Sequence, residues 1–164
     1  MKPFCLSLLF CLISANAFAQ SIELPAPAGW SAIENGISDH RIAVWREPET
    51  ESRIEILTQR IVRTQHAETF FSALHNQLLE NNFSLTTPAK TLSITLSDGT
   101  ERSGNWTEYE FLTAEVPITV VTFEFALDDA AFIAVGYFAR ANAPEGIEKL
   151  KAILPLMTKS SPSP

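Results

Sequence analysis

The sequence predicts an α+β fold in which a mainly antiparallel sheet of six or seven strands is flanked by two amphipathic helices. Two segments repeat apolar residues at helical spacing. The others alternate apolar and polar residues or form short apolar runs, and hairpin-type turns join them. The predicted order is three strands, one helix, four strands and one helix. Such an order favours antiparallel pairing, with each helix burying its apolar stripe on the sheet.

The chain begins with the three parts of a secretory signal peptide. Lys2 gives a positive start, residues 4–13 form a nearly unbroken apolar run, and Ala17 and Ala19 place small residues at a cleavage site. The run is shorter than the roughly 20 residues that span a bilayer. We therefore expect a signal over residues 1–19 and export to the periplasm.

Composition limits the chemistry of the mature protein. Both cysteines, Cys5 and Cys11, lie inside the predicted signal, so the mature chain has no thiol for catalysis, disulfides or zinc. Removing the signal takes one lysine and no acid, which leaves a net charge of 11 − 19 = −8. This charge disfavours nucleic acid and anionic lipid as partners. It is compatible with a basic protein partner, or with solubility alone.

After the signal we predict one domain over residues 20–158. Residues 159–164 contain only Lys, Ser and Pro, and are predicted to form a disordered tail. The first half of the domain predicts three strands and a tight Asn35-Gly36 turn. The strands are expected near residues 30–33, 40–46 and 53–62.

The strongest helix is predicted to begin at Thr64, an N-cap residue type, and to end at Asn81 and Asn82. An extended link is expected from Phe83 to Pro88. The apolar stripe of this helix consists of Phe70, Phe71, Leu74, Leu78 and Leu79.

The second half predicts four strands and the closing helix, with Asp98-Gly99 as a hairpin turn. The strand over residues 131–139 is apolar on both faces, which predicts a central position covered on both sides. The closing helix is expected over 144–154, with Asn142 and Glu145 in the pattern of a capping box. The other strands are expected near residues 91–96, 104–112 and 117–127.

This order of elements resembles the PsbP/DcrB-like superfamily. The resemblance rests on the Pro-rich lead-in ending at Gly29-Trp30, the early strands, the helix at 66–82, the later antiparallel strands and the helix at 144–154. It covers roughly residues 24–157. It implies a twisted antiparallel sheet with packed helices, and a non-enzymatic accessory, binding or chaperone-like role without a catalytic motif. The chain lacks the lipid-attachment cysteine of many exported members, which argues against a membrane-tethered role.

The predicted strand at 104–112 carries the main candidate binding site. Trp106, Glu108 and Glu110 alternate there with Tyr109 and Phe111. If Tyr109 and Phe111 face the core, the other three form an outward patch, and Trp is enriched at binding hot spots. The alternative is that a loop or helix covers Trp106 while the glutamates are solvated.

Trp45 is the remaining candidate binding residue. It lies opposite Ile42 and Val44 in its strand, so it is either a core residue of the second face or part of an aromatic surface.

The histidines form no recognisable catalytic or metal-binding pattern. The chain has no GxSxG motif, and a triad needs a nucleophile, a base and an acid. His66 and His75 would lie on opposite sides of an ideal helix, which disfavours a shared ion. We expect His75 at the edge of the apolar stripe and His66 exposed, and we predict no metal site and no cofactor. His40 is the third histidine.

The sequence therefore predicts an exported, non-enzymatic protein that binds another macromolecule in the periplasm as an accessory or envelope-maintenance factor. One alternative is an immunity-type inhibitor of a toxin that acts in the periplasm. Another is a small hydrolase that uses a histidine. A tight complex with a single partner would favour the inhibitor. A concave pocket holding a histidine with a hydrogen-bonded nucleophile would favour the hydrolase.

Overall fold

The computed structural model describes residues 24–33, 40–61, 64–112, 115–127 and 129–157. The predicted signal, the Asn35-Gly36 turn and the tail lie outside these residues.

Seven antiparallel strands form one sheet in the order β1-β2-β3-β7-β6-β5-β4. Helix α1 follows β3, and helix α2 follows β7. This arrangement confirms the predicted α+β fold and element order. The elements are β1 (Ser31–Ala32), β2 (Arg41–Arg46), β3 (Arg53–Arg60), α1 (Thr64–Glu80), β4 (Ser84–Thr95), β5 (Glu101–Phe111), β6 (Ile118–Leu127), β7 (Ala130–Ala139) and α2 (Ala143–Ile153).

Strand β7 lies at the centre of the sheet, as its two apolar faces predict. It pairs along most of its length with β3 on one side and β6 on the other. Each face of the sheet packs against one helix, and we call them the α1 face and the α2 face. Strand β6 shows the division clearly, since Phe123 and Phe125 join the core of the α2 face while Val120 joins that of the α1 face.

Helix α1 ends close to the predicted stop, and Asn82 has a left-handed backbone with φ of 65°. Its buried stripe is Ala67, Phe70, Leu74 and Leu78. The prediction that Leu79 belongs to this stripe is wrong, because Leu79 is 51% exposed. Leu79 lies about 100° around the helix from Leu78, which moves it off the buried side. The side chain of Thr64, the predicted N-cap, is not among the described ones.

The predicted capping box of α2 is wrong. Asn142 stands at the N-cap, but its side chain makes no capping hydrogen bond. A 3₁₀ turn over Arg140–Asn142 leads into the helix and gives Asn142 a backbone near the helical region, whereas a capping side chain needs an extended one. Glu145 instead pairs with Lys149 at 3.0 Å.

The predicted link from Phe83 to Pro88 is also wrong, because β4 already begins at Ser84 and includes Pro88. β4 is the last strand of the sheet, where the missing N–H of a proline can face away from the ladder. Its pairing with β5 is irregular between Leu85 and Lys90. Because the β4–β5 register shifts in this stretch, apolar and polar residues of β4 do not alternate clearly there.

The β4–β5 hairpin turn forms at Asp98 and Gly99 as predicted. Gly99 has a positive φ of 83°, which glycine adopts without strain. The backbone N–H of Thr100 donates to Oδ1 of Asp98 at 2.8 Å. This bond, together with the Thr100 hydroxyl, lowers the pKa of the Asp98 carboxyl.

Candidate functional site

Trp106 is not exposed, so the outward patch predicted around it is wrong. The side chain is 2% exposed and belongs to the core of the α2 face. Its ring lies 6.4 Å from that of Phe123, and the Lys151 ammonium of α2 lies 5.8 Å from its centre. Strand β5 therefore turns Trp106 under α2, and Tyr109 is buried on the opposite face.

The two glutamates of the predicted patch interact with neighbouring residues of the chain. Trp106 Nε1 donates to Glu108 at 2.8 Å, and the Thr87 hydroxyl donates to the same carboxylate at 3.2 Å. Glu110 faces Arg140 at 3.7 Å. The Thr87 and Arg140 contacts join β5 to β4 and to the 3₁₀ turn that precedes α2.

Trp45 is a core residue and not part of an aromatic surface. It is 2% exposed and joins the α2 face, between Ala32 of β1 and Ile54 of β3. Of the two alternatives that the sequence left open for Trp45, the structure therefore selects the core.

A buried polar cluster lies under α1, and no sequence pattern predicted it. Nε2 of His75 lies against the Glu124 carboxylate, and Nδ1 shares a hydrogen bond with the Tyr109 hydroxyl. His75 comes from α1, Tyr109 from β5 and Glu124 from β6. The cluster thus ties the helix to two neighbouring strands. The available signal was Glu124 itself, a lone acid between two phenylalanines of an apolar strand.

The cluster is shielded from solvent. Tyr109 is 3% exposed, Glu124 is 4% exposed, and His75 keeps 25% of its side-chain surface. Burial first, and the Glu124 charge second, raise the pKa of Tyr109 to about 12. The neighbouring Thr107 and Thr122 are buried on the same face, and neither hydroxyl has a hydrogen-bond partner among the described residues. The core of the α1 face is therefore apolar except for this group of buried polar side chains.

The order hydroxyl, imidazole, carboxylate in this cluster is that of a nucleophile, a base and an orienting acid. A nucleophile must, however, reach a substrate. Tyr109 lies beneath α1. A shallow groove on the outer side of α1 is lined by residues that do not include the cluster: Gln65, Glu68, Thr69, Ser72, Ala73 and Asn76. The other histidines do not join the cluster, and His66 is exposed as predicted.

A second buried acid lies on the same face of the sheet at β3. Glu55 contacts Arg53 and also Nε of Arg41, the latter at 2.9 Å. The Arg53 guanidinium lies 5.0 Å from the centre of the Tyr137 ring. Burial, and then the Glu55 charge, raise the pKa of Tyr137. Since two arginines face one carboxylate, this cluster is a compensated structural unit that joins β2 and β3.

Exposed apolar side chains gather at one end of the sheet. Chain order and strand register place the C-terminus of α1, the start of β4 and the β5–β6 connection at this end. Four of the five large apolar side chains that are exposed among the described residues belong to these segments, and we call them the exposed apolar surface. They are Leu79, Leu85, Leu112 and Val116, each between 51% and 58% exposed.

Two further findings concern the described residues. Neither described helix combines the length and the apolar character needed to cross a bilayer. Within the same ranges, no three His, Cys, Asp or Glu side chains come together in a way that would hold a metal ion.

No family model and no curated protein matches the chain. Among solved structures it is similar to the cyanobacterial PsbP (CyanoP) from Synechocystis, with a TM-score of 0.52 and 13% identity over 85% of this chain and 86% of that one. It is also similar to a protein from Bacteroides thetaiotaomicron, with a TM-score of 0.48 and 13% identity, and to a mutant of the protein Mog1, with a TM-score of 0.46 and 12% identity. The Mog1 match covers 83% of this chain and 85% of that protein. The Bacteroides match covers 79% of this chain, which spans only 42% of that protein.

The chain thus has an α+β fold with a single antiparallel sheet and a helix on each face. Its likeness to CyanoP makes this fold PsbP-like, and the resemblance predicted from the order of elements is confirmed at the level of the fold.

Proposed function

We propose that this chain is an exported, non-enzymatic protein that binds another protein in the periplasm as an accessory or envelope-maintenance factor. The observation that carries the proposal is the exposed apolar surface. Most large apolar side chains of the described residues are buried in the two cores, whereas these four are more than half exposed at one end. Exposed apolar groups that gather in one place, rather than being scattered, mark interaction sites.

Charge around the exposed apolar surface indicates the chemistry of the partner. Glu80 and Glu115 are exposed beside it, and Glu110 is paired with Arg140. The whole chain carries a net charge of −7. A partner with apolar side chains bordered by Lys or Arg would complement such a surface, and its opposite charge would speed association.

Burial of Tyr109 supports the binding role over the hydrolase alternative. The one histidine that has a hydrogen-bonded hydroxyl among the described residues holds it under a helix. That geometry suits a structural contact better than attack on a substrate.

The proposal is tested by affinity capture from periplasmic extract with the mature chain, residues 20–164, followed by mass spectrometry. The test variant is Leu112→Ser/Val116→Ser. The matched control is Leu156→Ser, an exposed apolar residue after α2 and away from the exposed apolar surface. We expect one stoichiometric partner whose binding falls at least about tenfold in the test variant and is retained in the control.

Each outcome of this experiment has a defined meaning. Binding that survives Leu112→Ser/Val116→Ser in a folded variant would refute this surface as the binding site. Absence of any partner would refute the binding function and favour the hydrolase alternative. If the single partner were a toxin, the immunity-type inhibitor would replace the accessory role, while the surface would stand.

A further inference from the structure

The two edge strands of the sheet differ greatly in length. β1 has two residues, whereas β4, at the opposite edge, has twelve. The outer side of an edge strand presents unpaired N–H and C=O groups that can pair with another chain, and a very short edge strand limits such pairing. The backbone of β4 is therefore the longer edge of the described sheet that is open to strand pairing.

The first half of β4 carries features that usually block edge pairing. Pro88 has no N–H to donate, and Lys90 places a charge on the edge. The register with β5 also shifts between Leu85 and Lys90. Residues 91–95, by contrast, contain no charge and no proline, and they pair with β5 in regular register. The second half of β4 is thus a regular, uncharged edge.

The β4–β5 hairpin determines which backbone groups of β4 face outward. The N–H of Leu96 donates to the carbonyl of Thr100 at 2.8 Å, so the backbone groups of Leu96 point towards β5. This orientation alternates along an antiparallel strand. The backbone groups of Thr91, Ser93 and Thr95 therefore point away from β5, and none of them has another backbone partner among the described residues.

We propose that residues 91–95 of β4 pair antiparallel with the same residues of a second copy of this chain, so that the two sheets become continuous. A two-fold axis passes through Ser93. In this register Ser93 lies opposite itself and Thr91 lies opposite Thr95 of the second copy. All three outward-facing residues then form hydrogen-bonded pairs, with two backbone bonds in each pair.

The side chains of this edge are complementary in the same register. Leu92 lies opposite Ile94 of the second copy, and both are half-buried residues that pack against the core of the α2 face. The pair therefore extends that core from one copy to the other. The Ser93 hydroxyl, which lies 3.1 Å from that of Ser103, meets the same hydroxyl across the axis.

Charge complementarity identifies a second copy as the occupant of the edge. Lys90 lies opposite Leu96 of the second copy, and the exposed Asp98 of that copy occupies the diagonal position two residues further on. The two-fold axis repeats this contact at the other end of the strand pair. Opposite charges therefore flank an uncharged centre, and no charged residue of the paired strands lies opposite its own copy.

The strand pair is small, which sets the expected strength of association. About five residues take part on each side, whereas a stable interface contains about 20–30. We expect a reversible dimer with a dissociation constant of about 100 µM. The pairing does not rest on the proposed function, since it needs no other protein and uses no residue of the exposed apolar surface.

Sedimentation equilibrium of the mature chain, residues 20–164, from about 10 µM to about 1 mM tests the pairing. Ser93→Lys places two positive charges opposite each other on the axis. Ser103→Lys is the matched control, because it adds the same charge to an exposed position and removes the same serine contact, but lies one strand in from the edge. We expect Ser93→Lys to weaken dimerisation at least about tenfold and Ser103→Lys to change it less than about twofold.

A cross-link tests the register without adding a charge. Both cysteines precede residue 20, so Ser93→Cys gives the mature chain a single thiol on the axis. The Cα atoms of a hydrogen-bonded antiparallel pair lie about 5.5 Å apart, within the range of a disulfide. Thr91→Cys is the control, because its two copies would be offset by four residues, or about 14 Å. We expect mild oxidation to link the Ser93→Cys chains but not the Thr91→Cys chains.

The outcomes separate self-pairing from other uses of this edge. A chain that stays monomeric up to about 1 mM, or a dimer that both lysine variants weaken equally, would overturn the proposal. Equal cross-linking of the two cysteine variants would overturn the register. If the chain is monomeric and Ser93→Lys instead abolishes capture of the periplasmic partner, that partner adds a strand to β4 and self-pairing is wrong. Dimerisation is measured without a partner, so failure of the proposed function leaves this result unchanged.

Discussion

At the scale of single residues, the α1 face holds several buried polar groups. Glu124, Thr107 and Thr122 lie among apolar side chains, and Tyr109 closes the cluster at the hydroxyl that contacts His75. Such groups cost stability unless they are hydrogen-bonded or paired. We interpret them as sites where the chain gives up apolar packing for a specific attachment of α1.

The raised pKa of Tyr109 predicts how the stability of the folded protein changes at alkaline pH. Its pKa is raised from 10.0 to about 12, so the folded chain keeps a proton that the unfolded chain loses. Unfolding is then linked to proton release above pH 10, and stability falls as the pH rises from 10 towards 12. We expect Tyr109→Phe to be less stable near neutral pH, where it loses the bond to His75, but to lose less stability over that alkaline range.

Urea unfolding at several pH values, together with the near-ultraviolet absorbance of tyrosinate, checks this prediction. The chain has only two tyrosines, Tyr109 and Tyr137, so each single variant leaves one signal to follow. Tyr137→Phe is the control, because burial raises the pKa of Tyr137 as well. If Tyr109 ionised in the folded Tyr137→Phe variant at its ordinary value near 10, the assigned burial of its hydroxyl would be wrong.

At the scale of elements, the close packing of α2 on the sheet depends on two glycines that contact the ring of Phe138. Phe138 of β7 is buried, and a side chain added at Gly136 or at Gly146 of α2 would run into its ring. Because the ring lies inside the packed core, it has little room to shift. The absence of side chains at these two positions lets α2 lie close against β7.

Gly146→Ala tests this packing. The substitution raises helix propensity, which stabilises the fold, but it also adds a methyl group that clashes with Phe138, which destabilises it. In an exposed helix interior the change would stabilise by about 1 kcal/mol. Here the clash with Phe138 should win, since overpacking a core costs about 1–3 kcal/mol. We expect a net loss of stability in urea unfolding. In a Phe138→Leu background the same substitution should cost less, and a net gain in the wild-type background would contradict the close packing.

The elements also show what could be predicted from sequence. Strand β6 alternates large apolar residues with smaller or polar ones, and β7 is apolar throughout, so local pattern predicts the apolar face of β6 and the central position of β7. In β5 both faces carry aromatic residues, and the pattern alone could not assign Trp106. What buries Trp106 is α2, which follows about 40 residues later in the chain.

The polar cluster was not predicted for the same reason, because it depends on contacts between residues that are distant in the chain. His75, Tyr109 and Glu124 lie on three elements, and the one local signal is Glu124, a lone acid in an apolar strand. Only the register that sets Tyr109 opposite Val120, and the position of α1 above both strands, brings them together. Local periodicity predicts which face a residue takes, but it does not predict which distant residue meets it there.

At the scale of the whole molecule, the chain has an apolar core on each face of its sheet and an exposed apolar surface at one end. The cluster of His75, Tyr109 and Glu124 lies beneath α1. The acidic net charge keeps the rest of the surface unattractive to anionic partners. Polar side chains connect both helices to the sheet, since His75 of α1 faces Glu124 of β6 and Lys149 of α2 pairs with Glu47 after β2 at 3.1 Å.

Export is the prediction that belongs to the whole chain. Leu24 already packs against the core of the α2 face, and Ala19 lies five residues before it, so cleavage after Ala19 would remove none of the described residues of that core. We expect the full-length chain, produced in a Gram-negative host, to appear in the periplasmic fraction with Gln20 as its first residue. Ala17→Arg/Ala19→Arg removes the small residues that a signal peptidase requires, so it should leave an uncleaved precursor in the membrane fraction. Ser21→Arg, placed after the cleavage site, is the control and should still be exported. A wild-type protein recovered from the cytoplasm with Met1 intact would refute the signal, and with it the periplasmic setting of the proposed function.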